Sequence, residues 1–151
     1  MLISTKGRYA LRILVDMAEH LSDDYVPLKE VAKRQNISKK YLEILVKEMV
    51  AGKLVVGASG KGGGYKLCRA PKDYSVGEIL RLTEGSLSPV SCHGFDDEPC
   101  ANAAECPTFP LWDKLNTMIQ NYLDSVSLAD LLYNSESEAS KTADPPPHVQ
   151  R

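Results

Sequence analysis

The sequence lacks any apolar run long enough to cross a lipid bilayer. Charged side chains at Lys6, Arg8, Arg12 and Asp16 interrupt the apolar positions near the N-terminus, so no signal-peptide core is recognisable there. Nucleophile–base pairs, His/Glu metal-binding helices and nucleotide-binding motifs are missing as well, which argues against an enzyme. These absences predict a cytoplasmic, non-catalytic protein with no membrane partner.

Acidic residues are scarce in the first half of the chain, and basic residues are scarce in the second half. Residues 1–72 contain 14 Lys+Arg and 7 Asp+Glu, a net charge of +7, whereas residues 73–151 contain 4 and 13, a net charge of −9. The basic half predicts a polyanionic partner, with a merely solvated basic surface as the alternative. The acidic half indicates that nucleic acid does not wrap the whole molecule.

Hydrophobic spacing and capping residues predict a mainly α fold with one β-hairpin. Helices are expected over about 8–21, from Pro27, from Ser38 to Gly52, from Ser75 to Gly85 and over 111–133, with the hairpin formed by 53–56 and 65–68. The glycine-rich tip between the two strands is not a P-loop, because no Lys-Ser/Thr pair closes it and no helix follows it. This order is typical of a winged helix-turn-helix, in which the hairpin is the wing.

The second helix of a helix-turn-helix enters the DNA major groove, and its N-terminal residues meet the base edges. Lysine can contact phosphates or guanine, serine can also contact either of these, and glutamate accepts a hydrogen bond from cytosine N4. Small residues at the wing tip let the backbone approach a minor groove, and polar residues at the first helix are plausible phosphate contacts. An ordinary polar helix start is the alternative. The predicted DNA-binding residues are Thr5, Lys6, Ser38, Lys39, Lys40, Tyr41, Glu43, Ser59 and Lys61, whereas Leu42 faces the core.

Cysteine is sparse, yet three of the four cysteines, Cys92, Cys100 and Cys106, lie within fifteen residues. A reducing compartment disfavours a structural disulfide, so metal or redox chemistry is the leading interpretation of this cluster. Thiolates bind soft metals and hold iron–sulfur clusters. Zinc in a Cys3His site and redox-active thiols without a cofactor are the alternatives. The fourth cysteine, Cys68, is on a wing strand and is predicted to be a packed small residue.

Three motifs and one residue pair are shared with a known family. They are the opening Ser4-Thr5-Lys6-Gly7-Arg8-Tyr9-Ala10, Ile37-Ser38-x-x-Tyr41-Leu42-Glu43 at the third helix, Gly62-Gly63-Gly64-Tyr65-x-Leu67 in the wing, and Leu111-Trp112 after the cysteines. Over residues 1–133 the chain resembles the Rrf family of bacterial transcription regulators, which includes the IscR, NsrR and CymR types. The resemblance implies a homodimer on double-stranded DNA with a pseudo-palindromic operator, paired through the long last helix. That helix has more apolar positions than a single stripe packed against a small domain needs, which favours a dimer contact. Packing of the helix against its own core is the alternative.

The resemblance makes an iron–sulfur cluster, most simply 2Fe–2S, the preferred cofactor, with a 4Fe–4S cluster as an alternative. This chain departs from the family in its fourth ligand: Phe109 stands where IscR types have histidine, and Arg8 where NsrR types have aspartate. The first cysteine gap is also longer, with seven residues instead of five. Candidates for the fourth ligand are His93, a partner-subunit group, an exogenous thiol, or a carboxylate among Asp96, Asp97, Glu98 and Glu105.

The family often has arginine at the position of Ser59 and proline at that of Lys61, so this wing is expected to read its operator differently. We predict a DNA-binding domain over 1–84, a sensor loop over 85–110, a dimerisation helix over 111–133 and a disordered tail over 134–151. The function predicted is a dimeric transcription regulator that senses iron–sulfur status, redox state or nitric oxide. The alternative is a cluster-free CymR-type regulator controlled by a partner protein, a small ligand or thiol redox.

Overall fold

The computed structural model describes residues 3–91 and 100–139 of the 151-residue chain. Its elements are α1 (Thr5–Glu19), α2 (Leu28–Gln35), α3 (Lys39–Ala51), β1 (Val55–Ala58), β2 (Gly64–Leu67), a 3-10 helix (Pro71–Asp73), α4 (Val76–Glu84), α5 (Phe109–Ser125) and α6 (Leu128–Ala139). This order, with one antiparallel hairpin, confirms the predicted fold class. Within the described residues, no helix is long and apolar enough to cross a membrane.

Serine side chains cap the starts of three helices in the DNA-binding half of the chain. Ser4, Ser38 and Ser75 each accept a hydrogen bond from the backbone N–H three residues later, at the starts of α1, α3 and α4. Such caps satisfy N–H groups that have no partner inside the helix. The predicted caps at Ser38 and Ser75 are therefore confirmed, and α1 begins before the predicted residue 8 because Ser4 caps it.

One hydrophobic core joins the N-terminal helices to α6. Leu14 of α1, Leu42 and Leu45 of α3, Ile79 of α4 and Leu128 of α6 are all at most 1% exposed. Full burial of such a side chain contributes about 1.5–3 kcal/mol. By contrast, α5 contributes no fully buried side chain. The core therefore fixes the position of α3, while α5 lies on the outside of this core.

The wing is anchored to the helical core by a third extended segment. Val26, just before α2, exchanges two backbone hydrogen bonds with Tyr65 of β2, with N···O distances of 2.8 and 2.9 Å. The approach is close enough that a Cβ on Gly64 would overlap the carbonyl oxygen of Val26. Glycine at this position is thus required by the contact that orients the wing.

The sequence predicted a single last helix over 111–133, and this prediction is wrong. The chain leaves helical geometry at Val126, whose carbonyl accepts a hydrogen bond from the Val76 N–H, and α6 begins at Leu128. Ser127 caps the new helix, because its hydroxyl accepts a hydrogen bond from the Asp130 N–H. Burial of Leu128 in the core compensates for the break. Helix α6 also continues to Ala139, beyond the predicted end.

Candidate nucleic-acid interface and cysteine segment

Helix α3 presents its N-terminal turn to solvent. Ser38, Lys39, Lys40 and Glu43 are exposed, whereas Leu42 is completely buried. This division matches the predicted one for the recognition helix, the name used below for α3. Side chains at this end of the helix are free to meet base edges in a major groove.

Tyr41 is placed differently from its predicted outward position. It is only partly exposed and packs against the core, and its ring meets that of Tyr9 edge-on with 5.9 Å between the ring centroids. Aromatic pairs favour this geometry. The tyrosine therefore fastens the recognition helix to α1, and only part of its surface is available to a ligand.

A buried carboxylate fixes the C-terminal end of α2, the helix that directly precedes the recognition helix. The carboxylate of Asp16 in α1 is 1% exposed, and it accepts three hydrogen bonds of 2.6–3.2 Å from Arg34 and one of 2.9 Å from Gln35. Burial alone would raise the pKa of Asp16, but these bonds and the Arg34 charge outweigh it and lower that pKa. Asn36 then adopts a left-handed conformation, with φ of 52°, that ends α2. The buried ion pair and the left-handed Asn36 therefore fix the turn from α2 into α3.

The cations near the recognition helix fall into two groups. Lys6 forms an ion pair of 2.8 Å with Glu48, and Lys39 lies 3.7 Å from Glu43. Lys40, Lys47 and Lys61 are exposed, and no carboxylate of the described residues lies within ion-pair distance of them. An unpaired lysine contacts a phosphate without first losing a partner. These three lysines are therefore the more readily available cations for contact with DNA, and sequence reasoning missed Lys47.

A second missed residue is Ile44, which is half exposed on the recognition helix. It lies four residues after Lys40 and three before Lys47, so the three side chains share one face. Apolar side chains in a major groove contact the thymine methyl group. Helical spacing from Lys40 was the available sequence signal for both missed residues.

The first turn of α1 is held by a carboxylate from the end of α4. Glu84 Oε1 accepts hydrogen bonds from the Ser4 hydroxyl at 2.7 Å and from the backbone N–H groups of Ser4 and Gly7. A Cβ on Gly7 would overlap this carboxylate, so a larger residue there would displace Glu84 from the turn. Thr5 and Lys6 are consequently presented on a firmly anchored turn, while Ser59 and Lys61 are exposed at the wing tip.

Two of the three clustered cysteines lie in the described part of the chain. Cys100 and Cys106 are half-buried in successive turns before α5, whereas Cys92 and His93 lie outside the described residues. The Cys106 thiol lies 3.4 Å from the Thr108 hydroxyl, and hydrogen bonding from Thr108 lowers the pKa of that thiol. Thiolate is the form that ligates soft metals, so the donor chemistry of this segment fits an iron–sulfur group. Within 3–91 and 100–139, no three potential ligands are gathered together.

Three other positions bear on the predicted ligand set. Cys68 is exposed, so its predicted packing is wrong: it follows the buried Leu67 at the end of β2, and successive side chains of an extended chain point to opposite faces. Phe109 is the first residue of α5 and carries no donor atom. Glu105 is exposed, and its role as a ligand stays a prediction.

The recognition helix, its preceding turn and the anchored wing define a winged helix-turn-helix DNA-binding protein. The family described as Rrf2, iron-dependent transcriptional regulator, matches residues 3–134. IscR, a transcriptional regulator of Aliivibrio salmonicida (strain LFI1238), is 36% identical over 136 residues, or 90% of this chain and 80% of that protein. The chain belongs to the Rrf2 family of transcription regulators, and it is not an enzyme.

Solved structures agree with this assignment. CymR, the global cysteine regulator of B. subtilis, superposes with a TM-score of 0.72 at 35% identity, covering 89% of this chain and 98% of that chain. IscR of T. potens superposes with a TM-score of 0.71 at 34% identity, covering 96% and 94%. The chain is thus similar in fold both to an IscR and to a CymR.

Proposed function

We propose that the protein regulates transcription as a homodimer that binds a pseudo-palindromic operator and senses its signal through an iron–sulfur cluster. The observation that carries DNA recognition is the exposed start of the recognition helix beside an anchored wing. Two such units related by a two-fold axis match an operator with two-fold symmetry. The bases are read by Ser38, Lys39, Lys40, Tyr41 and Glu43, while Thr5, Lys6, Ser59 and Lys61 contact phosphates or the minor groove.

The Lys40→Ala variant tests the recognition helix. We expect weaker, still salt-sensitive binding to a duplex selected by the wild-type protein, because one charged contact at the base edges is lost. A good bidentate pair to a base is worth about 1–3 kcal/mol, or roughly 5- to 150-fold in affinity. Fluorescence anisotropy measures this change, with Lys72→Ala in the 3-10 helix as the control. Unchanged affinity for both selected and random duplexes would count against the assignment of α3.

The dimer is proposed to form along the outer face of α5. Leu111, Leu115, Met118 and Tyr122 are 36–68% exposed and recur at helical spacing. Monomeric proteins rarely leave such a continuous apolar row in water. A second copy of the same helix covers the row symmetrically, and the family's homodimers support this choice of occupant.

The Met118→Lys variant tests the dimer. A lysine in the middle of the apolar row leaves an uncompensated charge at the contact, so we expect dissociation into single chains. Sedimentation velocity measures the change. Thr117→Lys adds the same charge to α5 outside the apolar row and is expected to leave the dimer intact. A wild-type protein that sediments as one chain at all concentrations contradicts the proposal.

The cluster is proposed to be held by Cys92, Cys100 and Cys106, most simply as 2Fe–2S, with 4Fe–4S and zinc as alternatives. When bound, an iron–sulfur cluster supplies a centre that changes its redox state and is lost when iron or sulfide is limiting. The fourth ligand stays open, with His93 as the candidate within the segment. Because Cys106 lies three residues before α5, a change at the cysteines would be transmitted first to that helix and would alter the angle between the two recognition helices.

The absorption spectrum of anaerobically purified protein, with iron and sulfide counts, tests the cluster. We expect a coloured protein with visible charge-transfer bands. A protein that stays colourless after reconstitution with iron and sulfide favours the second candidate, a cluster-free regulator controlled by a partner, a ligand or thiol redox. Phe109 in place of a ligating histidine, and the similarity to CymR, are the observations that favour this second candidate.

A further inference from the structure

Helix α5 is attached to the DNA-binding half of the chain chiefly through α4. Part of this contact is apolar, because Leu123 packs against a buried cluster that includes Leu80. The other part is polar. The guanidinium of Arg81 donates hydrogen bonds to both carboxylate oxygens of Asp124, at 2.7 and 2.8 Å, and to Gln120 Oε1, at 2.8 and 3.2 Å. Arg81 and its two partners on α5 are called the clasp below.

A glycine in α4 leaves room for the clasp. Gly77 is buried, and a Cβ added there would overlap the carboxylate of Asp124. Alanine is more favourable than glycine in a helix. An alanine at this position would therefore strengthen α4 locally, but it would displace the carboxylate from Arg81. The close approach of α5 through the clasp explains why a glycine stands here.

The other side of α4 is fixed relative to the recognition helix. Ile79 is fully buried in the core that also contains Leu42 of α3. Leu82 packs against the end of α3, where a Cβ on Gly52 would lie 2.6 Å from a methyl carbon of the leucine. Because protein cores are close-packed, α3 and α4 are expected to move as one body. The clasp therefore links α5, through α4, to the recognition helix.

We propose that Arg81 and Asp124 are positioning residues that set the angle between α5 and the recognition helix, and thereby the half-site spacing that the dimer accepts. Their side chains are 40% and 45% exposed, and ion pairs of this kind contribute little to stability. The clasp acts on direction instead. Three oxygens from two residues one helical turn apart hold a single planar guanidinium, so few orientations of α5 satisfy all of them.

The dimer converts this angle into a distance. In a two-fold dimer paired along α5, the same angle is applied in both protomers, so a change in it moves the two recognition helices relative to each other. The separation of these helices selects the spacing between operator half-sites. This inference rests on the proposed dimer and on the proposed placement of the recognition helix on DNA.

The Arg81→Gln variant tests the positioning role. Fluorescence anisotropy measures its binding to three kinds of duplex: the one selected by the wild-type protein, the same duplex with one base pair inserted or removed between its half-sites, and a duplex with a single half-site. The ratio of affinities for selected and altered spacing is expected to fall by about fivefold, the low end of coupling between distant parts of a protein. Affinity for the single half-site is expected to stay near the wild-type value.

Two variants of the acceptor side complete the test. Asp124→Ala removes the carboxylate and Gly77→Ala displaces it, so both are expected to lower the ratio as Arg81→Gln does. Arg81→Gln and Asp124→Ala change the net charge in opposite directions, so a loss that they share is not a general charge effect. Adding Gly77→Ala to Asp124→Ala is expected to cause no further loss, because no carboxylate is left to displace.

Glu78→Gln is the matched control, because it breaks another exposed 2.7 Å ion pair of α4 and is expected to keep the wild-type ratio. A wild-type ratio in both Arg81→Gln and Asp124→Ala would overturn the proposal. An equal loss of affinity for every duplex, the single half-site included, would overturn it too, because the clasp would then only stabilise the fold. A wild-type protein that binds no duplex, or that sediments as a single chain, is a distinct result that refutes the proposed function.

Discussion

Replacing Cys106 by alanine is expected to abolish the visible absorption of the anaerobic protein and to reduce its bound iron and sulfide to background. Cys106 is one of three thiols proposed to hold the cluster, and its hydrogen bond with Thr108 favours the thiolate. Removing it leaves two cysteine ligands in a segment that already lacks the family's histidine, and iron–sulfur clusters depend chiefly on thiolates. Absorption spectra and iron and sulfide assays measure the loss.

Cys68→Ala is the matched control for this experiment. Cys68 is exposed at the end of the wing and belongs to the DNA-binding half of the chain, so its removal is expected to leave the spectrum unchanged. Equal iron and sulfide contents in the Cys106→Ala and wild-type proteins would remove Cys106 from the ligand set. Loss of colour in both variants would point to unfolding or nonspecific metal binding, against the assigned ligands.

Replacing Asp16 by asparagine is expected to lower the free energy of unfolding by about 3 kcal/mol. The substitution keeps the volume but removes the buried charge that holds Arg34 and Gln35. The loss is placed at the lower end of the range for a broken buried pair, because Arg34 is 29% exposed and regains some hydration. Urea denaturation measures the change, and a loss of this size is a large part of a domain's stability.

The same variant is expected to change the pH dependence of stability. A carboxyl whose pKa is lower in the folded chain stabilises it above the ordinary value of about 4, and this contribution is lost as pH falls through the folded pKa. The pKa of Asp16 is lowered in this way by Arg34 and Gln35. The difference between wild type and Asp16→Asn is therefore expected to be largest near neutral pH and to shrink below pH of about 4.

A surface ion pair provides the control. Glu78→Gln breaks a 2.7 Å pair with Arg69 in which both side chains are more than a third exposed, so its expected cost is below about 1 kcal/mol. An Asp16→Asn protein as stable as Glu78→Gln at neutral pH would show that the buried pair contributes no more than a surface one. A pH-independent difference between Asp16→Asn and wild type would contradict the linkage to this carboxyl.

Local signals in the sequence were sufficient for most of the DNA-binding half. The serine caps at Ser38 and Ser75 act on N–H groups three residues away, so the helix starts were readable without any tertiary contact. The apolar stripe of α3 placed Leu42 inward, and glycines marked the wing. The same stripe leaves Lys40 and Lys47 on the exposed face of the helix, although sequence reasoning selected only Lys40.

Tertiary contacts decided the features that the sequence did not predict. Val126 leaves the helix because its carbonyl bonds to Val76 across the fold, although the apolar spacing continues through the break. Asp16 interrupts an apolar pattern in the sequence, and only the approach of α2 makes it a buried anchor. The sequence by itself determined the order of the elements and the residue types at both candidate sites. The tertiary structure decided which charges are paired, which helix face stays uncovered and where the chain turns, because these depend on residues far apart in the chain.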